Sequence, residues 1–430
     1  MLKKKKSYLV SFIGFSVMII VGAVLLYLPV SNNMDISFKD ALYIAISTIS
    51  CTGLSTIVPV EQFNFFGQFV MAILMEIGAL GFIIFISYIW AKKNKKMRMS
   101  DIIMVNDSIN GDNYSTIKEH SIFIFNIMIK VQMLGIILLA VKFIPEYGFL
   151  KGIWFSIFHT ISAFANSGFD LFGSQSLIIY NKDLYIQIVL IILMILGSIG
   201  IFALEDLKNN KLKNFNKLKL QTKIILVYSI ILLIIPTILL KIFDSNISIT
   251  NALFMVSSSR STGMSVINIQ DLSNSSKFIL TILMFIGGSP ASTAGGVRII
   301  AISVIIATMI DTLRGRINTV IFWKKIPDSI VRKSFTVFVL FMIITIIGII
   351  GYSYFNKEAE LVDISLECVS AITNTGFSAV NSSSITLPVE IILMILMYIG
   401  RIGPIALVTI FVNDEPIDKL IDYPSENIIL

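Results

Sequence analysis

Apolar runs along this chain alternate in length, long, short and long again, four times over. The outward runs cover residues 8–30, 121–144, 222–243 and 334–354. Each is near the ~20 residues that an α-helix needs to cross a hydrocarbon core about 30 Å thick. The short runs cover 37–51, 149–165, 249–260 and 361–373, and predict helices too short to cross. Return runs at 65–90, 184–204, 276–310 and 388–412 complete each set, the third being interrupted. The pattern predicts an all-α polytopic membrane protein of four span–short helix–span repeats, arranged with pseudo-fourfold symmetry around a central pore. Its divisions are residues 1–99, 100–210, 211–325 and 326–413, followed by a tail at 414–430.

Each short run closes on a hydroxyl residue, a glycine and a large apolar residue: Thr52-Gly53-Leu54, Ser167-Gly168-Phe169, Thr262-Gly263-Met264 and Thr375-Gly376-Phe377. None of the other glycines, of 25 in all, follows a Ser or Thr. Irregular backbone at membrane depth is tolerated where it lines a cavity or is buried in protein. A ring of carbonyls for a bare cation needs backbone angles that glycine adopts without a Cβ clash. The short helices would also aim their partially negative C-termini at the axis. The candidate ion-binding set is therefore Thr52, Gly53, Asn166, Ser167, Gly168, Ser261, Thr262, Gly263, Asn374, Thr375 and Gly376. No Asp or Glu lies within the triplets, and Asp170 stands just after the second. Neutral carbonyls point to a monovalent cation.

A second marker recurs in the return runs: Ile77-Gly78-Ala79-Leu80-Gly81, Leu196-Gly197-Ser198-Ile199-Gly200, Ile286-Gly287-Gly288 and Ile399-Gly400-Arg401-Ile402-Gly403. Its first glycine follows the turn glycine by 25, 29, 24 and 24 residues (78−53, 197−168, 287−263, 400−376). Two markers in one order and at similar separations are the signature of internal repeats. Close helix packing is the first reading of these small residues, ahead of ion contact.

The third return run breaks at Gly287-Gly288-Ser289-Pro290-Ala291-Ser292-Thr293-Ala294-Gly295-Gly296. Four glycines and a proline cannot continue a helix. The segment lacks the Gly-Lys-Ser/Thr ending of a phosphate loop, and is read as a mobile gate below the ring. Arg401, within the fourth return run and away from any expected helix end, is read as a pore-facing electrostatic barrier that the gate loop bonds. Glu76 lies at comparable depth without a partner that the sequence identifies. Arg260 is placed to brace the third turn, and His159 and Glu367 are read as structural.

Composition agrees: 55% hydrophobic, 14% charged. The net charge of +7 gathers in short loops, at residues 3–6, 92–98, 208–223 and 314–333. That is the positive-inside pattern, with both termini cytoplasmic in the cell membrane, rather than a nucleic-acid surface. The run at 8–30 is too long for a signal-peptide core and is kept as the first span. Cys51 and Cys368 suit neither a disulfide framework nor a metal cluster. Two histidines, two cysteines and no convergent acid pair leave little from which to build an enzyme site. The rival transport reading is an alternating-access symporter using Na⁺ or H⁺, built from broken helices in two halves.

The four turns, the Gly287–Gly296 break and Gly400-Arg401-Ile402-Gly403-Pro404 resemble the K⁺ transporter superfamily that includes the Trk, Ktr and HKT proteins. The resemblance covers nearly the whole chain and is strongest to the Ktr membrane subunit. The tail Tyr423-Pro424-Ser425-Glu426-Asn427-Ile428-Ile429-Leu430 is similar to one that packs at a homodimer interface in that family. The resemblance implies a homodimer in membrane lipid, one pore per subunit, and control by a cytoplasmic nucleotide-binding ring of RCK-type subunits. It also implies K⁺ as the permeant ion, Na⁺ as activator, and no cofactor in the chain. Na⁺-preferring HKT members carry Ser at the first filter glycine, so Gly53 implies K⁺. Ala291 departs from the glycine expected at that point of the break.

Overall fold

The computed structural model describes residues 2–81, 117–210, 215–380 and 385–404. The basic cluster at 92–98, the ends of the first and fourth return runs and the tail at 414–430 lie outside them. Four helix triplets account for most of the described chain. The first is Leu2–Tyr27, Phe38–Ser50 and Phe65–Leu80; the second is Ile117–Tyr147, Phe149–Phe164 and Leu184–Ser198. The third is Leu220–Phe243, Ile249–Ser259 and Asn274–Ile286; the fourth is Asp328–Phe355, Leu361–Ile372 and Leu387–Ile402.

Helix starts follow from local chemistry. Ser37, Asn64, Asp183, Ser248 and Ser273 each cap a helix by accepting from a backbone N–H of its first turn. Such caps satisfy donors that have no partner within the helix. In every triplet the outer helix packs on the short helix, and the short helix on the return helix. Each return helix also packs on the short helix of the next triplet. Leu387–Ile402 does so on Phe38–Ser50, which closes the circle.

The outer helices turn apolar residues both ways. Ala23, Leu26, Leu139, Phe143, Leu240 and Tyr352 are buried, while Ile20, Ile137, Ile238 and Ile350 are exposed. An apolar exterior over closed helices is the arrangement that a bilayer imposes. Among the described residues, Ile122–Tyr147, Leu220–Phe243 and Asp328–Phe355 are each long and apolar enough to cross a membrane.

The return runs correct an expectation. Continuous spans were expected in triplets 1, 2 and 4, yet each of these return helices stops at its second marker glycine, and the third stops earlier, at Ile286. Gly81 (φ 76°, ψ 139°), Gly200 (89°, 143°), Arg298 (82°, 137°) and Gly403 (90°, 132°) share one non-helical conformation. Beyond Gly200 the chain resumes as Ile201–Asn209, bent by 96° from Leu184–Ser198. The second glycine of the first, second and fourth markers is thus a break, for which its freedom at positive φ suits it. A 16-residue piece such as Phe65–Leu80 reaches only about 24 Å. In the third triplet the break is enlarged by the loop, and a non-glycine, Arg298, takes the strained position.

Candidate functional site

The short helices end alike. Cys51, Asn166, Ser261 and Asn374, two residues before each turn glycine, have positive φ, and so do Gly53, Gly168, Gly263 and Gly376 (φ 91°, 77°, 76° and 100°). In triplets 1, 2 and 4 the hydroxyl residue's N–H reaches five residues back: Thr52 to Ser47 O at 2.8 Å, Ser167 to Ser162 O at 2.9 Å, Thr375 to Ser370 O at 2.9 Å. This pattern terminates a helix through a left-handed residue and satisfies its last carbonyls. Thr262 instead bonds Ser258 O, four residues back, at 2.8 Å. The next residues, Leu54, Phe169, Met264 and Phe377, are all buried and wedge the turns.

The four turns meet in order. A Cβ placed on Gly53 would stand 2.5 Å from Ser167 O. Likewise Gly168 faces Thr262 O, Gly263 faces Thr375 O, and Gly376 faces Thr52 O. The carbonyl of each hydroxyl residue therefore lies against the glycine of the preceding triplet, from first to fourth and back to the first. Side chains stitch the same circle. Asn374 Nδ2 donates to Thr52 Oγ1 at 3.0 Å and to Met397 O at 2.8 Å, and Thr262 Oγ1 donates to Asn166 Oδ1. Asn166 Nδ2 donates to Thr293 Oγ1 at 2.6 Å. The two amides therefore hold neighbouring turns together. Thr52 Oγ1 also pairs with Ser50 Oγ at 2.6 Å, and Thr375 Oγ1 with Thr373 Oγ1 at 2.9 Å. Ser167 Oγ is buried without a partner among the described residues.

Beyond the turns the loops repeat a further device. Ser55, Ser265 and Ser378 donate to the carbonyls of Ile57, Ile267 and Val380, while Asp170 accepts from Phe172 N–H at 2.9 Å. His159 and Glu367, both nine residues before their glycines, brace these loops from below. Leu171 N–H donates to His159 Nε2 at 3.1 Å, and His159 Nδ1 meets Phe155 O at 2.7 Å, which fixes the Nδ1–H tautomer. Glu367 Oε1 accepts from Ala379 N–H at 3.1 Å, Val380 N–H at 3.2 Å and the Ser378 hydroxyl. Arg260 is buried and reaches outward to Ser229 Oγ at 3.0 Å, tying the third turn to its outer helix.

The first marker glycines serve packing. Gly78, Gly197 and Gly400 lie against the carbonyls of Ile49, Phe164 and Ile372, each in the last turn of its own triplet's short helix. Gly287 instead meets Gly295 O, within the loop.

That loop packs against the second, third and fourth triplets, and Arg401 links it to the first. Ser289 N–H donates to Ser198 O (3.1 Å), Thr293 N–H to Gly197 O (3.3 Å), and Ile201 N–H to Ala291 O (3.0 Å). Gly295 N–H donates to Ser261 Oγ at 2.9 Å and stands against Thr373 O. Arg401 completes the enclosure: Nη1 donates to Thr293 O at 3.1 Å and Nη2 to Gly78 O. Arg401 was expected away from helix ends, but the break at Gly403 puts it in the last turn of its helix. A cation is favoured there by the helix dipole as well as by the two carbonyls.

Sequence reasoning missed two features, the partner of Glu76 and the place of Arg298, and had marked Ala291 as standing where glycine is expected. Glu76 Oε1 accepts from Gln132 Nε2 at 2.5 Å across triplets 1 and 2. Arg298 is exposed within electrostatic reach of Arg401. Its position two residues after Gly296, where the helix restarts, was the available signal. Ala291 adopts φ 53°, which costs a non-glycine residue about 1–2 kcal/mol. Ala291→Gly is expected to stabilise the loop by about 1 kcal/mol, read as a higher midpoint of thermal unfolding in detergent. A lower midpoint would show that the methyl group is needed there.

A family model described as "TrkH: Cation transport protein" matches residues 11–423. The potassium/sodium uptake protein NtpJ of Enterococcus hirae is 31% identical, over 97% of this chain and 95% of that protein. The Ktr system potassium uptake protein B of Bacillus subtilis is 32% identical, over 96% of this chain and 94% of that protein. The crystal structure of the potassium transporter TrkH from Vibrio parahaemolyticus superposes with a TM-score of 0.74 at 18% identity, covering 95% of this chain and 85% of that one.

Proposed function

Because the chain belongs to the TrkH family of cation transport proteins, we propose that its four turns form one carbonyl-lined selectivity filter through which K⁺ enters the cell. The observation that carries the reading is the closed circle of glycine–carbonyl contacts from Gly53 round to Thr52. Four carbonyls held at fixed spacing replace the hydration shell of a bare monovalent cation without a charged ring. The four triplets act as repeats over 1–99, 100–210, 211–325 and 326–413, with the termini on the cytoplasmic side. Gly287–Gly296 and Arg401 form the gate. Two K⁺-uptake relatives covered almost end to end support the cargo.

Further parts of the reading are a homodimer, stimulation by Na⁺ and control by a cytoplasmic nucleotide-binding ring. Rescue of a K⁺-uptake-deficient bacterial strain at low external K⁺, with and without Na⁺, tests transport and stimulation together. Failure to rescue while the protein is present in the membrane would sink the K⁺ reading. Passive flux that follows the K⁺ gradient supports a channel-like pore, whereas fixed coupling to Na⁺ or H⁺ would favour the symporter.

Gly53→Ser should weaken discrimination against Na⁺ about tenfold, since the added Cβ collides with Ser167 O and φ 91° strains any side chain. An unchanged K⁺/Na⁺ ratio would remove the first turn from the filter.

A further inference from the structure

Each return helix carries one polar residue ten positions before its marker glycine: Gln68, Gln187, Lys277 and Glu390 (78−68, 197−187, 287−277, 400−390). Every one of them bonds a side chain on the short helix of the next triplet. Trp154 Nε1 donates to Gln68 Oε1 at 2.8 Å, and Gln187 Nε2 donates to Asn251 Oδ1 at 2.9 Å. Lys277 Nζ donates to Asp363 Oδ1 at 2.8 Å, and Lys39 Nζ stands 3.0 and 2.9 Å from the carboxylate oxygens of Glu390. The order runs first to second, second to third, third to fourth and fourth to first. A second closed circle therefore lies around the N-terminal parts of the short helices, whose C-termini make the glycine–carbonyl circle.

We propose that these four pairs are tethers that position the short helices, and that the K⁺/Na⁺ preference of the filter depends on them; the proposal rests on the filter reading above. A short helix is a rigid rod gripped at both ends. Its C-terminal end is held by contacts with neighbouring turns and its N-terminal part by a tether, joined in the fourth triplet by Asn274 Nδ2 donating to the N-cap residue Glu360 at 3.2 Å. Loosening the tether lets the rod tilt, and a tilt changes carbonyl spacing at the other end. Selection between ions that differ by a fraction of an ångström in radius is sensitive to that spacing and to its stiffness. The tethers also differ in kind. Both pairs that hold the fourth triplet are ionic, and both that hold the second use neutral donors. Of the ionic pairs, Lys277–Asp363 is the more enclosed, at 7% and 18% side-chain exposure. Removing one partner there strands a charge, so a test has to replace both.

The paired variant Lys277→Met/Asp363→Leu removes the tether and keeps its bulk. Its K⁺/Na⁺ flux ratio in proteoliposomes should fall about fivefold relative to wild type, with the protein still monodisperse. Lys277→Gln/Asp363→Asn copies the Gln187–Asn251 pair and should keep the wild-type ratio. Trp154→Phe deletes a single donor while keeping a ring, and should lower the ratio about twofold. It serves as the decisive variant if the apolar pair does not fold. Wild-type ratios in the apolar pair, or in Trp154→Phe should that pair not fold, would overturn the proposal while leaving the filter intact. A wild-type protein with no K⁺ preference would instead overturn the filter reading itself.

Discussion

Arg401→Ala is expected to raise K⁺ flux about tenfold. The guanidinium joins the loop, through Thr293 O, to the first triplet, through Gly78 O. Hydrogen bonds from a charged donor contribute about 1.5–3 kcal/mol each, and about 1.4 kcal/mol off a barrier is tenfold in rate. Breaking one of these bonds as the loop moves is enough. In the proposed pore the substitution would also remove a positive charge from the cation's path, which works in the same direction. Arg401→Lys keeps the charge but offers one compact donor group in place of a fork, and should fall between alanine and wild type. The readout is rubidium uptake into proteoliposomes at matched protein content. Flux equal to wild type in the alanine variant would make Arg401 a packing residue at a helix end.

Deleting Pro290 to Thr293 should have the larger effect, about a hundredfold rise in flux. The deletion removes the Ala291 carbonyl that holds Ile201, and the Thr293 groups that bond Gly197, Phe164 and Asn166. At about 0.5–1.5 kcal/mol each, these bonds sum to the few kcal/mol that two decades require. The same argument predicts non-additivity. In the deleted protein Arg401→Ala should add little, because the loop carbonyl through which Arg401 acts is already gone. A full further tenfold rise from Arg401→Ala in the deleted protein would separate the arginine from the loop, and a deleted protein with wild-type flux would leave the loop without a gating role.

The turns were legible because each repeats the same chemistry, a hydroxyl residue and a glycine behind a half-length apolar run, and because Gly53, Gly168, Gly263 and Gly376 impose the same backbone. The short helices were found to within a residue or two, since their polar flanks are sharp. The breaks at Gly81, Gly200 and Gly403 were hidden because a lone glycine in an apolar run is compatible with a continuous helix. Only the inserted loop in the third triplet announced its break. The tethers were hidden for another reason. They recur in position but not in residue type, so Gln68–Trp154, Gln187–Asn251, Lys277–Asp363 and Glu390–Lys39 show no common motif. Their partners also lie in different triplets, where periodicity along one helix says nothing. Polar residues at a constant offset from the marker glycines were the available signal. Glu76 and Gln132 escaped likewise, as a single pair across two triplets.

Purified wild-type protein in proteoliposomes, with K⁺ and Na⁺ fluxes measured under equal gradients beside Gly53→Ser, tests the four-turn filter most directly. The account predicts flux that favours K⁺ over Na⁺ by about tenfold or more in the wild type and a preference largely lost in the variant. Equal K⁺ and Na⁺ fluxes in the wild type, or a preference that Gly53→Ser leaves intact, would contradict it.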